Sequence, residues 1–189
     1  NSLILFDRFS LQNANMVVFA TSGAGKSYAV KLEVLRSLML GADVIIIDPE
    51  NEYKHLAEAV NAAYINVSLN SESKLNPFDL PRGVGGDSKP EDILRSAVIT
   101  IKGLIRLMIG EITNIEDSIL DRALLETYAK KDITPASDLS NIEPPIMSDL
   151  EDVLMSMEGG EDMALRIKKY TEGTFSGLFN NPTNIQVNN

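Results

Sequence analysis

The sequence predicts an α/β fold with a parallel sheet, plus an all-α segment inserted into it. Three observations carry this. The first 80 residues alternate short apolar runs with helix-period segments, a Pro/Gly cluster interrupts the chain at residues 80–90, and an acidic stretch with helix-capping signals follows it. Parallel strands joined through helices need that alternation, because a crossover cannot be made by a tight turn.

The elements follow in order. "NMVVFA" (residues 15–20) is short, rich in β-branched residues and bounded by polar ones, as a buried strand is. "KSYAVKLEVLRSLML" then spaces Ala29, Leu32, Leu35 and Met39 for one helical face, and Gly41 closes it. "DVIIID" (43–48) reads as a second buried strand, "EYKHLAEAV" as a short helix and "YINVS" (64–68) as a third strand. Residues 15–68 are therefore expected to form adjacent parallel strands with right-handed crossovers and residues 21–27 at their carboxyl edge.

Beyond "LPRGVGGDSKP" the chain reads as helical. Pro90 suits the first turn of a helix whose apolar stripe, Ile93 to Met108, is core. Thr113 with Glu116, and Ser148 with Glu151, have the spacing of capping boxes. From Pro90 to Tyr170 there are 16 acidic against 9 basic residues, so this segment carries most of the net charge of −10. The expected organisation is a core portion at 1–80, a linker at 81–90, a helical insertion at 91–170 and a return towards the core at 171–189.

Composition excludes several functions. With 189 residues and 44% apolar content the chain is long enough to bury a core, and no apolar run approaches the ~18 residues that suggest a membrane span. There are no cysteines, which removes disulfide scaffolds and thiolate metal sites and fits a reducing compartment. The one histidine, His55, leaves little scope for a histidine triad or zinc cage and reads as a surface or core-edge residue. A charge of −10 does not support a nucleic-acid-coating surface, although a local basic patch remains open. "RIKKY" (166–170) could touch phosphate or DNA, but a solvated helix face is the favoured reading.

The chemistry concentrates in "ATSGAGKS", residues 20–27. A strand that enters a glycine turn at a helix N-terminus leaves backbone N–H groups unpaired and aimed at one point, which suits phosphate. Thr21, Ser22, Gly23, Ala24, Gly25, Lys26, Ser27 and Tyr28 are the expected nucleotide-binding residues. Lys26 reaches β- and γ-phosphate oxygens and the Ser27 hydroxyl joins a Mg²⁺ shell, as in the phosphate loop of NTPases. The usual pattern begins with glycine where this chain has Ala20, but the phosphate-facing amides of Gly23 to Ser27 are unaffected. Asp48, Glu50 and Glu52 in "DPENEY" are possible lining residues, since ligands collect at the carboxyl ends of parallel strands. Asp48 alternatively just ends a strand that Pro49 stops.

The stretches "LFDRFSLQNANMVVFATSGAGKS", "ADVIIIDPENEY", "INVSLNSESKLNPFDLP" and "GTFSGLFNNPTNI" together resemble the VirB-four type ATPases of type IV secretion and conjugation, the TraC, TraE and TrbE-like proteins. Their wider relatives are the HerA and FtsK motor ATPases. The resemblance implies a RecA-like P-loop core with an inserted all-α subdomain, an ATP and Mg²⁺ requirement, and Lys26 and Ser27 as the catalytic residues of the phosphate loop. It implies a cytoplasmic motor at the inner face of a membrane, partnered by other secretion-system subunits and forming homo-oligomers in the full protein. The apolar strand ending in Asp-Glu that the family places later does not follow Pro182, so the chain is expected to be a piece of a larger ATPase. A DNA-pumping translocase and a nucleotide-dependent assembly module with little hydrolysis are the alternative functions.

Overall fold

A computed structural model describes residues 6–68, 72–80, 89–137 and 142–185. Of the expected linker at 81–90, residues 81–88 lie outside them. The chain divides into two compact units, Asn1–Tyr64 and Ile65–Asn189.

The first unit is held by local devices. Asp7 accepts the Phe9 amide at 2.9 Å and caps a 3-10 turn over Arg8–Ser10. Arg8 also pairs with Glu33 on α1, Lys26–Met39. That helix stops at Gly41, whose φ of +82° lets its amide bond the Leu38 carbonyl while Ala42 bonds Ser37. This double bond pattern closes the carbonyls that a helix end leaves unpaired. A second helix, α2 (Lys54–Ala59), ends the same way, with Asn61 at φ +54° and Ala62 bonded to Ala57. Asparagine is among the few residues other than glycine that tolerate this conformation.

The expected parallel sheet is not formed. Among the described residues there is no strand, and "NMVVFA", "DVIIID" and "YINVS" run without any ladder joining them. The α/β, RecA-like reading of the fold is therefore corrected to a helical one. The physical reason is that apolar, β-branched runs record a demand for burial, whereas a strand exists only when a neighbour supplies its hydrogen bonds. Here Phe19 is 90% exposed, Ile45 94% and Ile47 91%, so the runs meet neither condition. The face expected on α1 is partial: Leu32 and Leu35 are half-buried, while Ala29 and Met39 are exposed.

Among the described residues, all the buried ones lie in the second unit. Helix α3 (Pro90–Ile109) buries Leu94, Ala97, Val98, Ile101, Ile105 and Met108, the spacing of one helical face. Helix α4 (Asn114–Ala129) begins with the expected capping box: the Thr113 hydroxyl accepts the Glu116 amide at 3.2 Å, and Glu116 accepts the Thr113 amide at 2.7 Å. The second box differs. Helix α5 (Met147–Ser156) is capped at Ile146, whose amide donates to Asp149 at 2.8 Å, while Ser148 bonds Asn180 through both its amide and its hydroxyl.

Helices α6 (Glu161–Thr171) and α7 (Ser176–Phe179) complete the bundle, with α5 against α6 and α4 against α5. The Tyr128 ring meets Phe78 edge-on and its hydroxyl donates to the Phe78 carbonyl at 2.9 Å. Burial holds that phenol protonated, well above the ordinary tyrosine range. Residues 178–184 return beside 72–76: Leu75 donates to the Leu178 carbonyl, Asn76 to Thr183 and Lys74 to Asn184. Asn76 itself is buried and spends its amide group on Pro145 and its carbonyl on the Phe78 amide.

Candidate functional site

The glycine turn and the "DPENEY" segment come together within the first unit. Ala24 donates to the Thr21 carbonyl at 3.1 Å, which folds residues 21–24 into a turn. Gly23 and Gly25 then adopt φ +78° and +88°. A Cβ at Gly25 meets nothing within 4 Å, so glycine is needed there for its backbone conformation and not for clearance. Helix α1 starts immediately at Lys26, and Ala29 is the first residue to bond back, to Gly25 at 2.9 Å. The amides of Gly25, Lys26, Ser27 and Tyr28 therefore have no acceptor within the helix, and the positive end of its dipole lies with them.

The side chains add to this. Lys26 is exposed and makes no ion pair with a described residue, so its ammonium is uncommitted. The half-buried Ser27 donates its hydroxyl to Glu52 Oε2 at 2.6 Å, across 25 residues of sequence. Asp48 Oδ2 accepts the Tyr53 amide at 2.8 Å. That amide, with those of Glu52, Glu50 and Asn51, holds the Asp48 carboxyl below its ordinary value, against the smaller opposing effect of burial. Asn51, at φ +57°, turns the segment and accepts the Tyr64 hydroxyl at 2.8 Å.

Three carboxylates that sequence reading treats alike thus separate in space. Glu52 meets Ser27, Asp48 organises the backbone of its own turn, and Glu50 is exposed. Thr21, Ser22, Gly23, Ala24 and Tyr28 are exposed around the turn. His55 is 95% exposed in its side chain and lies 3.3 Å from Glu58, away from any cluster. In "RIKKY", Lys168 and Lys169 are exposed as expected, but Ile167 and Tyr170 are core and Arg166 pairs with Glu116.

Sequence reading passed over two neighbours of the site. Lys31 lies one helical turn beyond Ser27, and its ammonium sits 5.2 Å from the centre of the Tyr53 ring. Burial raises the Tyr53 phenol, with Glu52 and Asp48 adding to the shift. The i, i+4 spacing from Ser27 to Lys31 was the available signal; the contact with Tyr53 was not.

The donors suit a hard cation. A Mg²⁺ site beside phosphates uses one or two protein oxygens and fills the rest of its shell with phosphate and water. The Ser27 hydroxyl with the Glu52 carboxylate beside it is such a set.

Comparison with known proteins gives two findings. Residues 9–186 match the family described as "Helicase HerA, central domain". The solved structure of VirB4 of Thermoanaerobacter pseudethanolicus is similar at a TM-score of 0.83 and 28% identity, over 99% of this chain and 52% of that one. The chain thus spans about half of that relative's length. No curated protein matches it.

Proposed function

The chain belongs to the HerA central-domain family, of the VirB4 type within the HerA/FtsK superfamily, and from that premise we propose that it is the ATP-binding portion of a type IV secretion motor. One observation carries the proposal: the glycine turn runs straight into a helix whose first residues, with amides free of any acceptor in the helix, are the exposed Lys26 and the hydroxyl-bearing Ser27. Anionic phosphate is the ligand that such a combination favours.

In this reading the amides of Gly23 to Tyr28 take phosphate oxygens and Lys26 supplies the positive charge for the β- and γ-phosphates. The Ser27 hydroxyl, with Glu52 behind it, would hold Mg²⁺, which when bound neutralises phosphate charge and aids phosphoryl transfer. Hydrolysis further requires a group that orients water and a cation for the transition state, worth ~10³ to 10⁵ in rate and supplied in trans in many such enzymes. Alone, the chain is therefore expected to turn over below about 1 s⁻¹, the low end of ordinary enzymes. Secretion-system subunits and further copies of the protein are the proposed partners. The acidic balance of −10 favours this over the DNA-pumping alternative.

Calorimetric titration with ADP and ATP in Mg²⁺ tests the proposal. The wild-type chain is expected to bind and Lys26→Ala to bind at least ten times more weakly, a loss of ~1.4 kcal/mol or more. Equal affinity in both would refute it.

A further inference from the structure

The geometry points to Glu52 as the residue that positions the Ser27 hydroxyl for a divalent cation, with Asp48 serving to hold the segment that delivers it. The inference rests on the nucleotide reading above and assigns a role within that same site.

A serine hydroxyl has one proton and two lone pairs, and its rotor settles wherever the proton finds the best acceptor. Ser27 gives its proton to Glu52 Oε2 at 2.6 Å. That choice fixes the torsion and leaves both lone pairs available to a cation. A charge-assisted bond also increases the electron density on the oxygen, which makes it a better donor to a hard metal ion. The carboxylate adds a negative charge next to the same atom. Neither effect would follow if the hydroxyl donated to a backbone carbonyl one turn below, as Thr127 does to Ala123 in the second unit.

Asp48 is occupied differently. Its Oδ2 takes the Tyr53 amide at 2.8 Å, and the amides of residues 50–52 also favour its charged form. Those interactions tie down the turn from Pro49 to Tyr53. Glu52 lies one residue before the amide that Asp48 grips, so the reach of its side chain to Ser27 is set by Asp48. Glu50 lies in the same turn, exposed and without such a contact.

The readout is the Mg²⁺ enhancement of ADP affinity, meaning the ratio of the dissociation constant in EDTA to that in Mg²⁺. Wild-type chain should show an enhancement. Glu52→Gln, which preserves shape and removes charge, should reduce it about tenfold, the difference between a charge-assisted and a neutral hydrogen bond. Affinity in EDTA should not fall, since the amides and Lys26 are untouched; a general structural defect would weaken binding in both buffers. The double variant Ser27→Ala/Glu52→Gln should lose no more than Ser27→Ala alone, as groups that act as one unit do. Glu58→Gln, which removes an exposed carboxylate from α2, should leave the ratio unchanged. Glu52→Asp, with its charge on a shorter stem, should keep part of the enhancement and serves if Glu52→Gln melts early.

An undiminished ratio in Glu52→Gln overturns the assignment while leaving nucleotide binding intact. So does an equal loss in EDTA, or a further loss in the double variant. If wild-type chain binds no ADP in either buffer, the nucleotide reading fails and this inference falls with it.

Discussion

The two units spend their residues differently. Between Asn1 and Tyr64 no described side chain is fully buried, yet the glycine turn, Lys26, Ser27 and the "DPENEY" acids are all there. Between Ile65 and Asn189 lies a core with Leu120, Leu124, Leu150, Leu154, Met163 and Ile167 wholly inaccessible. The first unit keeps its shape through turns, two glycine- or asparagine-closed helix ends and a few side-chain bonds, and the second through packing. Chemistry is thus placed where hydrogen bonds that tolerate exposure, some within one turn and one spanning Ser27 to Glu52, set the geometry. Packing sets it elsewhere, where no candidate ligand group is needed.

The largest expected effect tests that contrast directly. Leu154→Ala in α5 deletes a fully buried side chain and should cost ~2–5 kcal/mol of unfolding free energy. Leu35→Ala removes a half-buried side chain from α1 and should cost well under half as much. Urea unfolding followed by circular dichroism compares them. Equal costs would mean that the first unit carries a core of its own and would break the comparison.

What could be read from the sequence follows the same division between local and non-local causes. The start of α1 was legible because "GAGKS" specifies both the positive-φ turn and the helix N-terminus within a few residues. Likewise, the Thr113–Glu116 box and Pro90 act across a single turn, and both are found where expected. The Ser148–Glu151 box failed because capping depends on which residue is extended. The extended residue is Ile146, φ −119° and ψ 175°, and Asp149 then does the capping. The expected sheet failed for the larger reason that strand pairing is a property of neighbours, which an apolar run such as "DVIIID" does not contain. Within the site, the sequence brackets Asp48, Glu50 and Glu52 together. Only the fold shows that Glu52 reaches Ser27.

A smaller effect sharpens the comparison at helix ends. Thr113→Ala removes the hydroxyl that takes the Glu116 amide and should cost about 1 kcal/mol. Asp7→Ala removes a comparable cap from a three-residue 3-10 turn in the first unit. It should leave the midpoint of global unfolding within error, because so short a turn supports no packed face. A shift in the Asp7 variant as large as that in the Thr113 variant would show that the first unit unfolds together with the second.

Acid titration should give the smallest effect and separates the units by what each carboxylate holds. In the second unit Glu116 is held below its ordinary 4.5, chiefly by the Thr113 amide and then by the Thr113 hydroxyl and Arg166. Asp117 is held below 3.8, chiefly by its bond to Lys102 and also by Arg106. Groups whose folded pKa is depressed stabilise the fold fully above their unfolded values, and that contribution is lost as pH falls through the folded ones. Stability of the helical unit should therefore be level near neutrality and begin to fall only as pH drops below 4.5 and then 3.8. The fall should be shallow and reduced further by salt, because these pairs are partly exposed and screened. Asp48 is depressed by the same kind of backbone bond, yet nothing buried depends on it. Its protonation should release the Tyr53 amide, and with it the grip on Glu52, without moving global stability. Carboxyl chemical shifts followed by NMR, alongside melts at each pH, distinguish the cases. The contrast fails if Asp48 protonation coincides with loss of the helical unit, or if Glu116 titrates at or above its ordinary value.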